Sequence, residues 1–551
     1  THHSSLSLSK MGSQVDNLWL FLLGSRFEHF TLTNLCTILL TVVGSWLAMS
    51  LLYWAHPGGP AWGKHSWTHL SRWVRKPIPG PRGWPVIGSL FLKMGLAHRK
   101  ISAMAESCGP RARRLMAFSV GETRMIVTCN PDVAKEILNS PDFSDRPDQE
   151  SAYGLMFNRA IGFAPYGAYW RTLRRVASTH MFAPKQIKAY ESQRHDIASQ
   201  MVAVLRSQNG SFRVREVLKW ASLSNMMGSV FGRRYDPFGD PNNKEVQELK
   251  EMVDEGYDLL GILNWSDHLS FLSQFDLQKV RFRCSQLVPK VNRLVSRIIA
   301  DHRSNPAHLN RDFVDVLLSL PDPDKLSDPD MIAVLWEMIF RATDATAVLM
   351  EWILARLVLH PDVQSTVHDE LDKVVGRSRG VKESDLSSLV YLTAVIKEVM
   401  RLHPPGPLLA WSRLSVQDTT VDGCHVPAGT TAAVNMWAIG RDPQVWASPL
   451  EFRPDRFLTS EPHMMDFSVL GSDLRLAPFG SGRRSCPGKV LGLTTVSFWV
   501  ATLMHEFEWV KSVDGEVDLT EELKLSCEMA NPLTVQLRPR TTGASKRSSS
   551  C

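Results

Sequence analysis

Twenty-six consecutive residues, Phe30 to Ala55, contain no Asp, Glu, Lys, Arg or His. The best window within them, Leu35 to Trp54, supplies the roughly 20 apolar residues that cross a bilayer as a helix. It is longer than the apolar stretch of a cleaved signal peptide, and no A-x-A site follows it. A core helix of that length would carry polar residues on one face, so residues 30–55 are expected to be a transmembrane anchor. Between His56 and Ala105 lie Lys64, Arg72, Arg75, Lys76, Arg82, Lys93, Arg99 and Lys100, with no acidic residue. Basic flanks stay on the cytoplasmic side. Residues 1–29 are therefore expected in the lumen, and the body of the chain in the cytosol. The chain opens on Thr1, which reads residues 1–10 as non-native sequence ahead of a start at Met11. Residues 56–88 form a basic, Pro/Gly-rich linker. Its run Lys76 to Pro85 can be neither helix nor central strand, because proline fixes φ and removes donors. It reads as a stiff spacer.

Behind the anchor the composition is globular: 44% apolar and 21% charged over 551 residues. Extensive disorder is excluded, as are collagen-like and repeat architectures. A charge of +6 over this length does not argue for nucleic acid. The eight cysteines are scattered without a CxxC pair, which points to a reducing compartment. The pattern is mainly helical with a minor β part, and no low-complexity linker interrupts it. One large domain is expected over 89–540, with a disordered polar tail at 541–551. The clearest helix runs from Asp328, as N-cap, with Pro329 in its first turn, to Leu359 before Pro361. A second runs from about Ser384 to Leu402. Strands are expected at Met125–Thr128, Thr430–Val434 and Leu533–Leu537.

The most informative segment is Pro478-Phe479-Gly480-Ser481-Gly482-Arg483-Arg484-Ser485-Cys486-Pro487-Gly488. Its glycines allow the backbone to approach a flat ligand. Its arginines suit carboxylates. Cys486 precedes the mostly apolar run Val490–Met504, read as a helix. A thiolate near a helix N-terminus and arginines has a lowered pKa and suits a metal. A single thiolate without His or Cys at zinc spacing argues against zinc. It suits haem iron, whose porphyrin already supplies four nitrogens. From the residues alone, a Gly/Arg-rich surface loop remains the other reading.

The same run resembles, at every defined position, the F-x-x-G-x-R-x-C-x-G signature of the cytochrome P-450 superfamily of haem-thiolate monooxygenases. Other landmarks of that superfamily follow its order. Glu398-Val399-Met400-Arg401 resembles the E-x-x-R helix. Phe452 to Phe457 resembles the P-x-R-F element, and Trp170 to Arg174 the W-x-x-x-R element. The stretches Tyr53–Lys64, Gly80–Gly88 and Ala164–Arg171 are similar to the land-plant KLUH-type subfamily, number seventy-eight A. The resemblance implies haem b with iron bound axially by Cys486. It implies that Trp170, Arg174, Phe479, Arg484 and Gly488 contact that cofactor, with Trp170, Arg174 and Arg484 at the propionates. It also implies that Glu398, Arg401 and Arg456 form a buried cluster. By family position, Tyr153–Ile161, Ala333–Arg341, Pro407–Trp411 and Glu528–Asn531 are expected to line the substrate pocket.

Arg341 to Thr346 falls where the family carries A/G-G-x-D/E-T-T. Asp344 matches the acid, and Thr346 the second threonine. Ala345 stands where the usual threonine sits and cannot donate a hydrogen bond. Asp344 and Thr346 are the expected catalytic pair for proton delivery. Asp344 also lies on one stripe with Glu337, Arg341 and Glu351, so a structural pairing with Arg341 is the other reading.

The resemblance implies a monooxygenase, an oxidoreductase acting on paired donors with incorporation of molecular oxygen. It is expected in the endoplasmic reticulum membrane as a single-pass protein. The implied partners are NADPH–cytochrome reductase, O2, membrane lipid and an apolar small-molecule substrate, with fatty acids among the subfamily's proposed substrates; nucleic acid is not among them. The reductase is expected to meet a basic surface near Arg483 and Lys489. Ala345 motivates two alternatives: a haem-thiolate hydroperoxide isomerase or dehydratase that needs no reductase, and an inactive haem-binding protein.

Overall fold

The computed structural model describes residues 32–68, 77–208, 210–234, 244–304, 312–409, 411–458, 467–471, 473–513 and 515–540, apart from the side chains of Leu32, Arg341 and Ala342. The expected lumenal segment 1–29 and the tail 541–551 lie outside these residues, as do Arg72, Arg75 and Lys76.

Helix α1 (Leu32–Trp54) leads into the body, whose main helices are α2 (Ala168–His180), α3 (Arg215–Phe231), α4 (Lys244–Gly261), α5 (Val280–Ser304), α6 (Asp328–Leu359), α7 (Pro361–Val374), α8 (Val390–Leu402) and α9 (Lys489–Glu506). At 32 residues, α6 is about 48 Å long and crosses the whole body. Its cap is Ser327, whose side chain accepts from Asp330 N. The cap therefore lies one residue before the expected Asp328, because Ser327 keeps an extended backbone while Asp328 is already helical. The second expected helix also starts later than Ser384. Glu383–Ser388 winds as a tighter 3-10 turn, and α8 begins at Val390. The Glu370 carboxylate on α7 accepts from Tyr391 N at 2.6 Å and Leu392 N at 2.9 Å. This cap comes from a neighbouring helix, which a local reading cannot see.

Four strands form the main sheet, β1 (Met116–Val120), β2 (Thr123–Thr128), β3 (Arg413–Leu414) and β4 (Thr431–Val434), in the order β1-β2-β4-β3. β2 and β4 run parallel, with Met125 opposite Thr431, and so join sequence from both ends of the body. The third expected strand, Leu533–Leu537, overlaps the observed strand Thr534–Pro539, which pairs with Phe507–Lys511. β1 went unforeseen because all five of its residues are buried and show no alternation. A short hairpin, β5 (Glu521–Leu523) and β6 (Cys527–Met529), completes the part that matters for the site.

Two apolar cores flank α6. One packs its N-terminal half, through Phe340, against α2, α3, α4 and α5. The other packs its C-terminal half, from Ala347 onward, against α7, α8 and α9. Among the described side chains neither core includes one between Phe340 and Ala347, where α6 reaches the site.

The segment expected as a spacer lies along β1. Pro60–Thr68 is a short helix, and Trp62 and Ile78 are buried. Trp62 Nε1 donates to Phe118 O at 3.2 Å, and Ala117 N donates to Pro79 O at 2.9 Å. Trp54 Nε1, at the end of α1, donates to Gly83 O at 2.7 Å. The linker is attached because its aromatic and aliphatic side chains bury area that a free spacer would leave in water.

Candidate active site

The loop 478–488 places Cys486 in the wall of a cavity of about 310 Å³. Gly480 and Gly482 have φ of +67° and +68°, a conformation that favours glycine. Gly480 N donates to Ala477 O and Cys486 N to Phe479 O, each at 2.9 Å. These bonds curl the backbone so that the cysteine precedes the first turn of α9, where aligned peptide dipoles favour a thiolate. The lining also includes Ala345, Thr346 and Leu349 of α6, and Leu408, Leu409 and Trp411 add apolar surface. Phe479 and Gly488 lie beside Cys486 in the lining.

Four arginines, Arg146, Arg174, Arg413 and Arg484, reach the same cavity; Arg146 donates to the carbonyls of Trp411 and Ser412. Arg484 is buried and donates to Ser144 O at 2.9 Å and Ala164 O at 2.7 Å, with Asp145 at 3.4 Å. Its guanidinium lies 4.4 Å above the Trp170 ring, while Trp170 Nε1 donates to Ile161 O at 2.9 Å. Arg174 Nη2 lies 3.5 Å from Ser485 Oγ. Arg413 donates to Ser481 O at 3.0 Å. Burial, then the neighbouring Arg484 and Arg174, push its guanidinium down to about 9. Burial pushes Arg484 down to about 10. Among the described residues no carboxylate lies within 4 Å of Arg413, so this buried cationic edge calls for an anion from a ligand. A flat apolar group with carboxylates on one edge and a metal at its centre fits the donor set: thiol, glycine loop, apolar walls and guanidiniums. These residues therefore suit haem. Sequence reasoning missed Arg413, since a lone Arg after the apolar run Leu408–Trp411 carries no motif.

Glu398, Arg401 and Arg456 are brought together, and all three are buried. Arg401 donates to Glu398 at 2.7 and 2.8 Å, and Arg456 at 3.1 Å. The remaining guanidinium protons go to backbone carbonyls of Gly440, Ala447, Ser448, Pro449 and Glu451. The cluster ties α8 to the segment 440–456 and does not line the cavity.

On α6 the structure separates the expected catalytic pair. Thr346 lines the cavity. Asp344 is buried behind that wall, with Lys219 Nζ of α3 at 3.4 Å from Oδ1; burial raises its carboxyl above the usual range. The acidic stripe does not act as one group. Glu351 meets Arg215 at 2.8 Å, and Glu337 accepts from Gly162 N at 2.8 Å. The Arg341 side chain lies outside the description. Of the expected pocket segments, Ile161, Glu337, Met338, Leu408, Leu409 and Trp411 line the cavity; Ala410 is outside the described residues. Glu528–Asn531 does not. Leu525 and Ser526 stand there instead, because the turn between β5 and β6 points inward. Ser222, Asn225 and Met226 of α3 also line it, and no motif announced them.

A mainly helical body holding a cysteine loop beneath a long helix defines a class, and comparison with known proteins agrees. The chain belongs to the cytochrome P450 family, whose family model matches residues 78–535. Among plant relatives it is 64% identical over 536 residues to cytochrome P450 78A9 of Arabidopsis thaliana, covering 96% of this chain and 99% of that one. It is equally 64% identical over 526 residues to cytochrome P450 78A3 of Glycine max, covering 95% and 98%. A solved zebrafish cytochrome P450, with abiraterone, superposes with a TM-score of 0.67 at 25% identity, covering 80% of this chain and 99% of that one. The chain is thus a plant monooxygenase of the 78A group. Its family holds haem through a cysteine thiolate and draws on O2, a redox partner and a small-molecule substrate.

Proposed function

We propose that this chain is a membrane-anchored monooxygenase that hydroxylates an apolar small molecule such as a fatty acid, with electrons from NADPH–cytochrome reductase. The observation that carries the reading is Cys486 in the wall of a cavity lined by neighbouring arginines and by apolar side chains. Haem bound there supplies oxygen activation and C–H oxidation. Cys486 would bind its iron, Arg174, Arg413 and Arg484 would hold its carboxylates, and Trp170, Phe479 and Gly488 would pack around it. Leu349, Leu408, Leu409 and Trp411 would exclude water and orient a hydrocarbon chain. Asp344 would deliver protons toward the cavity, whose wall includes Thr346, and Glu398, Arg401 and Arg456 would fix the scaffold beneath. The catalytic domain would occupy 89–540.

Helix α1 supports anchoring, since its span Thr33–Trp54 is apolar and uncovered by the rest of the protein. Exposed Trp84, Ile87, Phe91, Phe271 and Phe275 extend an apolar surface on the body. They lie on segments that meet at the β1–β2 turn, where Gly121 N donates to Ile87 O and Glu122 N to His268 O. Residues 30–55 would cross the endoplasmic reticulum membrane, with the body cytosolic. Arg483 is exposed and would meet the reductase. Lys489 is turned in to Leu470 O at 2.6 Å and is the poorer contact.

The test is turnover of a fatty-acid panel by membranes containing the chain and reductase. Hydroxylated product that requires NADPH, reductase and O2 is the expected result. Turnover of lipid hydroperoxides without NADPH would instead support the isomerase reading that Ala345 motivates.

A further inference from the structure

Ala345 leaves the cavity wall without the hydroxyl that the resemblance leads one to expect. The structure places another hydroxyl at the same cavity. Ser526 sits in the turn between β5 and β6, is buried and lines the cavity beside Leu525. Its side chain hydrogen-bonds the Asp344 carboxyl, which also faces Lys219. The turn is fastened on both flanks. Lys524 N donates to Ser526 O at 3.1 Å, and Lys524 Nζ donates to Glu528 at 2.7 Å. Lys219 is 30% exposed and so links Asp344 to solvent. The other charges facing this group are Asp254 on α4, Arg215 on α3 and Glu528 on β6.

We infer that Ser526 is the cavity-facing end of a proton relay running from solvent through Lys219 and Asp344, and that it supplies the hydroxyl missing at Ala345. In this relay Asp344 passes its carboxyl proton to Ser526 Oγ as Ser526 releases its own hydroxyl proton into the cavity. Lys219 then returns a proton to Asp344 and recovers one from water, so every group ends as it began. Thr346 shares the cavity wall, but Ser526 and Lys219 are the groups that hydrogen-bond the Asp344 carboxyl among the described residues.

The inference rests on the monooxygenase reading, and its test separates the two. One arm uses the full-length, haem-loaded protein at rest. The infrared carboxyl band that Asp344→Asn removes is expected to shift in Ser526→Ala, to stay in place in Thr346→Ala, and to return in Ser526→Thr. The other arm measures hydroxylated product and hydrogen peroxide per NADPH, with reductase and dodecanoic acid. Ser526→Ala is expected to lower product formation by about 10²-fold, the low end of what a positioned proton donor contributes. Electrons from NADPH then leave on O2 as hydrogen peroxide, and Ser526→Thr restores coupling. An unmoved band in Ser526→Ala would overturn the inference. So would undiminished coupling in that variant, or a larger loss in Thr346→Ala. A wild-type protein that makes no product from any tested substrate would count against the monooxygenase reading, while the infrared arm would still report on Ser526 and Asp344.

Discussion

Glu398→Ala is expected to yield almost no haem-loaded protein. Among the described residues Glu398 is the one carboxylate paired with both Arg401 and Arg456, and it also accepts from Arg453 N at 2.9 Å. All three side chains are nearly sealed from water. Truncating the acid leaves two guanidiniums buried without their counter-charge. Removing one partner of a buried pair costs about 3–5 kcal/mol, against a total stability of about 5–15 kcal/mol. Arg401 holds the carbonyls of Gly440, Pro449 and Glu451 while bound to Glu398, so this segment loosens with it. Glu398→Gln keeps the hydrogen-bond acceptor and should fall between the two. Thermal unfolding of the three proteins checks this, and an unchanged Tm in Glu398→Ala would refute it.

Gly482→Ala is expected to displace Cys486, while Gly480→Ala is expected to be tolerated. Both glycines have positive φ, which costs a non-glycine residue about 1–2 kcal/mol. They differ in surroundings. A Cβ on Gly480 would find its nearest neighbour, Leu409 Cδ1, at 3.8 Å. A Cβ on Gly482 would lie 2.0 Å from Leu138 O, a backbone atom held beneath the loop. Ser481 Oγ donates to Asn139 at 2.9 Å and Arg413 to Ser481 O, so a shift of this turn also disturbs the cationic edge. Haem content after purification should fall severalfold more in Gly482→Ala than in Gly480→Ala. Equal losses would mean that backbone conformation alone sets the requirement.

How much of this was legible in the sequence depends on how local each cause is. The cysteine loop and the ends of α6 could be read because their determinants, glycines and prolines, sit within a few residues of where they act, although the cap fell on Ser327 and not on the expected Asp328. The start of α8 could not, because Glu370 caps it from another helix. The burial of Trp62 and Ile78 was hidden because a Pro/Gly-rich linker looks detached until β1 is in place. Arg413 and Ser526 carry no motif. They become informative only when the parallel pairing of β2 with β4 and the inward turn between β5 and β6 bring them to one cavity. The stripe of acids on α6 looked like a single feature, and tertiary packing gave Glu337, Asp344 and Glu351 three separate partners.

The account turns on Cys486 as the thiolate that holds haem. The most direct measurement is the reduced, carbon monoxide-bound difference spectrum of membranes containing the wild-type chain and Cys486→Ser. A red-shifted Soret band in wild type that is absent from Cys486→Ser is the predicted result. A red-shifted band that survives in Cys486→Ser, or a wild-type band at shorter wavelength in folded, haem-loaded protein, would contradict it.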